Sequence, residues 1–273
     1  MRIVILSSSL YSETASAAAL RMAELGYIPV GAVALRTLDH RTLLRKVGQW
    51  GTRGVTKYAR NQLVPSRKNR FPVVNNPYLE PLLKRGDRVF RNLREVAALH
   101  AFPTVVCNDQ NAASSIAQLK AWSPDLILFT GGNILRKPVL DVPRLGVLNV
   151  HLALLPEIRG MSSPEWSLLQ NVPVGITIHY MDTGIDTGPI LQKYELPDAA
   201  RSESLSDLRN RLVAFGIEKI GEVVVALDRG AVSEIPQPHD HKDNQFFVIH
   251  EFLKARAVER LVTSHQSAGA LSE

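Results

Sequence analysis

The sequence predicts an α/β fold: a Rossmann-like, mainly parallel sheet with a basic insertion and a mostly helical C-terminal tail. Two observations carry that expectation. Short runs of apolar, β-branched residues recur without polar alternation, as strands covered on both faces require. They alternate with segments whose apolar residues fall at helical spacing. The 273 residues are 45% hydrophobic and 21% charged, ordinary for one ordered globular protein with a sizeable core and unlike disordered or fibrous chains.

Taken in order, residues 2–7 (Arg-Ile-Val-Ile-Leu-Ser) read as the first strand. A Ser/Tyr loop follows, then a helix over 13–25 that Gly26 closes. A second strand covers 28–35. Pro65, Pro72, Pro77 and Pro81 then break the alternation, which marks an insertion with one or two helices, one of them running through 82–99. The pattern resumes with a strand at 103–107, a helix at 112–122 and a strand at 125–130. A Gly131-Gly132 turn, a short helix at 135–140 and a strand at 146–150 come next. Two β-rich runs, 175–181 and 189–195, precede a helix over 204–227 with Leu205, Leu208, Leu212, Ile217, Ile220 and Val224 on one face. The tail carries a further amphipathic piece at 248–261. The same sheet resumes after the insertion, so the chain is read as one catalytic domain over 1–230, with the basic insertion at about 41–94, and a one-helix tail over 231–273.

The net charge of +6 conceals an asymmetry. Between positions 41 and 94 stand fourteen basic residues against Glu80 and Asp87, a net charge of +12, so the rest of the chain carries −6. Trp50, Tyr58, Phe71 and Phe90 interleave with them. Such a block suits an anionic partner, with the aromatics placed for a base or sugar ring; it equally suits a solvated basic face. The single cysteine, Cys107, allows no internal disulfide and no Cys-rich metal site. With a short apolar start and no run of ~20 apolar residues, the protein is expected in the cytoplasm.

In parallel sheets ligands bind beyond the carboxyl ends of the strands, where Asn149 and His151 stand. Two residues apart on an extended segment, they leave the same face. An amide donor beside a titratable ring suits an oxyanion site, or a satisfied structural pair. Three further motifs follow: Leu154-Leu155-Pro156 with Arg159-Gly160, Gly175-Ile176-Thr177-Ile178-His179, and Asp182-Thr183-Gly184-Ile185-Asp186-Thr187-Gly188-Pro189-Ile190.

Over 124–196, about a quarter of the chain, the sequence resembles the folate-dependent N-formyltransferases, which include the glycinamide ribonucleotide, methionyl-tRNA and nucleotide-sugar enzymes. The resemblance implies the formyltransferase fold and the catalytic residues Asn149, His151 and Asp186, with Asp182 shaping the loop. It implies 10-formyltetrahydrofolate as formyl donor, held by Gly132, Asn133, Ile134, Leu135, Asp182, Gly184 and Ile185, although Ile134 and Leu135 would serve a core equally well. Arg159, Gly160, Ser162 and His179 are candidates for the acceptor side, and His179 suits the interior of the sheet layer as well. No metal is required. In the implied reaction Asn149 and a protonated His151 hold the developing oxyanion, and Asp186 pairs with His151 and accepts the amine proton.

The acceptor expected is a small, phosphorylated amine, with a nucleotide-linked amino sugar favoured over nucleic acid. Sixty-six residues follow Asp207, which leaves little room for the C-terminal barrel of methionyl-tRNA formyltransferases. The stretch from Ser7 to Ser12 lacks the glycines of the ribonucleotide enzymes' phosphate loop. The alternatives are a methionyl-tRNA formyltransferase-like enzyme, a formyltetrahydrofolate hydrolase, or a non-catalytic binding protein on the same fold.

Overall fold

A computed structural model describes residues 1–36, 75–238 and 244–269, with side chains described as far as position 263. Most of the predicted basic insertion, 41–74, lies outside the described residues.

The chain enters at the centre of the sheet. Strand β1 (Ile3–Ser7) is buried at every residue, as its unalternating apolar run requires. Helix α1 (Glu13–Glu24) starts where the Ser12 hydroxyl accepts from the Ala15 amide, and its small residues 15–19 are all buried. Strand β2 (Gly31–Leu35) begins three residues later than the sequence reading places it. Pro29 has no amide hydrogen for a ladder, and Trp122 lies so close to Gly31 that a Cβ there would meet the indole at 2.7 Å.

The helix expected through 82–99 is broken into three pieces. Helix α2 (Glu80–Leu83) leads into a hairpin of β3 (Lys84–Arg85) and β4 (Arg88–Val89). The Gly86-Asp87 turn stops the helical run. Helix α3 (Leu93–His100) then restarts on an Asn92 cap that accepts from Glu95 N.

Strand β5 (Thr104–Cys107), helix α4 (Ala113–Trp122), strand β6 (Leu126–Phe129), helix α5 (Lys137–Leu140) and strand β7 (Gly146–His151) follow the predicted order. A two-residue strand, β8 (Arg159–Gly160), and helix α6 (Ser163–Gln170) come next. The helix escapes sequence reading because its start combines Ser162 in the left-handed region with Pro164, and its N-cap makes no side-chain hydrogen bond. Strands β9 (Gly175–Tyr180) and β10 (Ile190–Glu195) precede α7 (Leu205–Asp228). All six apolar positions predicted for the inner face of α7 are buried. Strand β11 (Gln245–Phe246) and helix α8 (Glu251–Gly269) complete the chain.

The seven-stranded sheet runs β10-β9-β7-β6-β1-β2-β5. The five strands from β5 to β7 are mutually parallel, whereas β9 is antiparallel to both β7 and β10. The chain starts at β1, builds outward through β2 and β5, then returns to β6 on the other side. The strand order therefore reverses between β1 and β6, where open α/β sheets form a crevice. One face packs on α1, α3 and α7, with Leu128, Leu148 and Ile178 turned toward them. The other face carries Val4, Ile127, Leu135 and Val147.

The C-terminal helical tail packs against this body. Ala257 and Leu261 of α8 are buried in a cluster with Ile176, Leu208 and Leu212, and β11 pairs in parallel with β8.

Candidate active site

The site is assembled by register. Asn149 of β7 lies opposite His179 of β9, and His151 lies opposite Thr177. All four face the side of the sheet away from α7, because their neighbours Leu148, Val150, Ile176 and Ile178 fill the α7 side. The 182–189 loop then folds back over this face and brings Asp186 onto both rings. Its Oδ2 stands 3.4 Å from His151 Nδ1 and its Oδ1 3.6 Å from His179 Nε2.

Hydrogen-bond accounting assigns the protons. His179 is 1% exposed, and its Nδ1 lies 2.7 Å from the Tyr180 carbonyl, which only accepts. Nδ1 therefore carries the hydrogen, leaving Nε2 to accept from Asn149 Nδ2 at 3.1 Å. Burial lowers the pKa of this ring to about 4, against the attraction of the Asp186 carboxylate, so it is neutral at pH 7. By the same logic His151 Nε2–H donates to the Ile158 carbonyl at 2.8 Å. Its Nδ1 then faces the Asp186 carboxylate.

In this arrangement His151 Nε2–H is taken up by the Ile158 carbonyl. Asn149 retains one N–H with no partner among the described residues, and its other N–H is spent on His179. His179 thus orients Asn149.

The Asp186 loop is tied down residue by residue. Asp186 itself has φ +54°, the left-handed region that costs a side-chain-bearing residue about 1–2 kcal/mol. Its Oδ2 also accepts from Gly160 N at 2.8 Å. Asp182 Oδ1 accepts from Gly184 N at 3.0 Å and from the Thr187 hydroxyl at 2.6 Å, closing the turn between them. Gly188 packs so closely on the Tyr180 carbonyl that any Cβ would collide with it. Gln237, which carries no sequence motif, donates from Nε2 to the Asp186 and Gly188 carbonyls at 3.1 and 2.6 Å.

The other predicted residues fall in two groups. In the loop after β6, Gly132 abuts Gln110, and Asn133 and Gln110 exchange backbone-to-side-chain bonds of 3.0 and 3.1 Å. Leu135 is buried in the core, whereas Ile134 is 81% exposed. Ile185 and Met161 are exposed as well. On the intended acceptor side, Arg159 is buried and donates to Gln237 Oε1 and the Pro238 carbonyl. Ser162 Oγ accepts from Ile249 N at 3.2 Å. Those two polar groups hold the fold together around the site.

A cavity of about 280 Å³ has Asn149 in its wall. Thr14 and Ala18 of α1, the ends of β6 and β7, and Val213, Gly216 and Ile217 of α7 line the remainder, with no charged side chain. A Cβ at Gly216 would stand 2.6 Å from Val150 Cγ1, so α7 packs tightly on β7 at this point. Among the described residues no group of three or more His, Cys, Asp or Glu is placed to hold a metal ion. No described helix is long and apolar enough to cross a membrane.

A largely parallel Rossmann-like sheet ends in an antiparallel β9–β10 edge, and a carboxamide, an imidazole and a carboxylate converge on it. Residues 88–224, half of the chain, match the family described as formyl transferase, and the chain belongs to that family. It is 30% identical over 181 residues to a methionyl-tRNA formyltransferase of Pelobacter propionicus, covering 59% of this chain and 56% of that protein. The chain spans about half the length of the curated relatives it matches. Among solved structures, an N-formyltransferase from Helicobacter canadensis, in complex with folinic acid and dTDP-3-aminofucose, aligns over 97% of this chain and 80% of its own. Its TM-score is 0.58 at 14% identity. Glycinamide ribonucleotide transformylase 1 from Symbiobacterium toebii aligns over 86% and 94%, with a TM-score of 0.55 at 18% identity. Both likenesses are of fold.

Proposed function

We propose that this protein transfers the formyl group of 10-formyltetrahydrofolate to a primary amine. The observation that carries the reading is the convergence of Asn149, His151 and Asp186 on one face of β7 within hydrogen-bonded contact of their supports. The folate's accommodation rests on the loop after β6, which the Gly132–Gln110 packing and the Asn133–Gln110 bonds hold in shape, and on the exposed Ile134 and Ile185. Gly132, Asn133, Ile134, Leu135, Asp182, Gly184 and Ile185 would hold it. When bound, it supplies an activated formyl carbon.

The chain's own residues then have separable tasks. Asn149, oriented by His179, offers its remaining N–H to the negative charge that develops on a carbonyl oxygen during acyl transfer. The His151–Asp186 pair takes the proton that the amine must lose, at His151 Nδ1 or the Asp186 carboxylate. Ile158 and Gly160 hold the two halves of that pair in place.

The acceptor in this reading is a small anionic amine such as a nucleotide-linked amino sugar, and the protein works in the cytoplasm. The basic segment supports an anionic partner, and the ligand of the Helicobacter canadensis structure is of that class. Methionyl-tRNA is the second reading, favoured by the sequence relatives. The test is tetrahydrofolate release by the purified protein with nucleotide amino sugars, glycinamide ribonucleotide or methionyl-tRNA. Release that depends on one amine supports transfer and names the acceptor. Release without any amine identifies a hydrolase, and folate binding without release identifies a binding protein.

A further inference from the structure

We infer that Gln237 is a positioning residue for the His151–Asp186 pair, clamping the backbone of the Asp186 loop to the segment that also holds the imidazole. The inference rests on the reading of that pair given above. Gln237 lies beyond α7 and outside residues 88–224 that match the family, yet it is 5% exposed and sits between two parts of the site.

Its orientation follows from its neighbours. Gln237 Oε1 accepts from Arg159 Nη2 at 2.8 Å and from Nε at 3.3 Å. A guanidinium only donates, so the amide oxygen must face it, and the NH2 group must face the opposite way. There it meets two acceptors, the carbonyls of Asp186 and Gly188. Both faces of the amide are therefore satisfied in one orientation, and the reverse orientation would set donors against donors and acceptors against acceptors.

The three residues 158–160 then act as one frame. The Ile158 carbonyl accepts from His151 Nε2, the Gly160 amide donates to Asp186 Oδ2, and the Arg159 side chain reaches the Asp186 backbone through Gln237. Asp186 sits in the left-handed region, where its own backbone preference opposes the loop, so the hold must come from outside. Gly160 N fixes the carboxylate and Gln237 fixes the main chain. Without the second, the 3.4 Å approach of Oδ2 to His151 Nδ1 depends on one hydrogen bond and the packing of the loop.

The decisive variant is Gln237→Glu. It is isosteric and keeps an acceptor for Arg159, now as an ion pair, but it removes both N–H donors and turns a carboxylate oxygen toward two carbonyls. Gln237→Met, which also lacks the donors, serves should the glutamate variant fail to fold. Three quantities are measured on the full chain: steady-state kinetics with the amine found above, the thermal midpoint, and the ring 15N shifts of His151 against pH. The expectation is a kcat lowered roughly tenfold to a hundredfold, as for a small misplacement of reacting groups. KM for the folate stays within about twofold while the His151 titration curve moves. A His151 titration identical to wild type in a folded variant would overturn the inference, as would an unchanged kcat. Should wild type turn over no amine, the transferase reading fails, and the ring titration still decides the role of Gln237.

Discussion

At the residue scale the site divides its labour among groups that sequence spacing alone does not distinguish. Asn149→Ala removes a side-chain donor left free among the described residues and is expected to lower kcat by about 10²- to 10³-fold with little change in thermal midpoint. His151→Ala and Asp186→Asn each break the proton-carrying pair, and the double variant is expected to lose little more than either alone, read from the same assay. His179 has a different signature. Burial holds its folded-state pKa at about 4, below the ~6.5 of an unfolded imidazole. Between those values the unfolded chain takes up a proton that the folded one refuses. Stability present above about pH 6.5 is therefore lost as pH falls toward 4. Urea unfolding at a series of pH values should show this slope in wild type and a shallower one in His179→Gln.

At the scale of elements, the loop between β9 and β10 covers the site on one face of the sheet, and helix α7 supports the other face. Gly188 lies against the Tyr180 backbone, which cannot move aside as a flexible side chain would. Gly188→Ala is expected to displace the Asp186 loop and abolish measurable turnover while the chain stays folded, checked by circular dichroism beside the assay. Gly216→Val on α7 would drive a side chain into Val150 Cγ1, and the expected outcome is a lowered thermal midpoint, read by calorimetry.

These elements also show how legible the chain was. The strands β1, β6, β7 and β9 and the face of α7 could be read because a fully covered strand and an amphipathic helix each leave a periodic trace. The site motifs on β7, β9 and the following loop were readable for a related reason: each set of residues is contiguous. The helix expected through 82–99 failed where a two-residue turn interrupted an otherwise helical composition. Helix α6 went unread because its start breaks the usual capping pattern. Gln110 and Gln237 left no trace, since an amide in a loop acquires its meaning only from the distant groups it meets.

At the scale of the whole molecule, the C-terminal segment is structural. Leu261 is buried with Leu208 and Leu212 of α7, so Leu261→Ala is expected to cost about 2–5 kcal/mol, read as a shift in the urea midpoint. One cooperative transition should move as a unit, because α8 and α7 share that cluster. β11 reinforces the coupling: it pairs with β8 at the very residues, Arg159 and Gly160, that brace Asp186.

What the sequence by itself determined is the Rossmann-like sheet, the order of its strands along the chain, and the identity of Asn149, His151 and Asp186 as a candidate set. Those are properties of local periodicity and of short contiguous motifs, which a linear text preserves. Only the tertiary structure shows that Asn149 donates to His179, that His151 Nε2 meets the Ile158 carbonyl, and that Arg159 donates to Gln237. It likewise decided that a tail residue reaches the loop of the site. Each of these depends on hydrogen bonds between groups up to 78 positions apart, whose pairing is set by sheet register and loop closure and is written in no single stretch of chain.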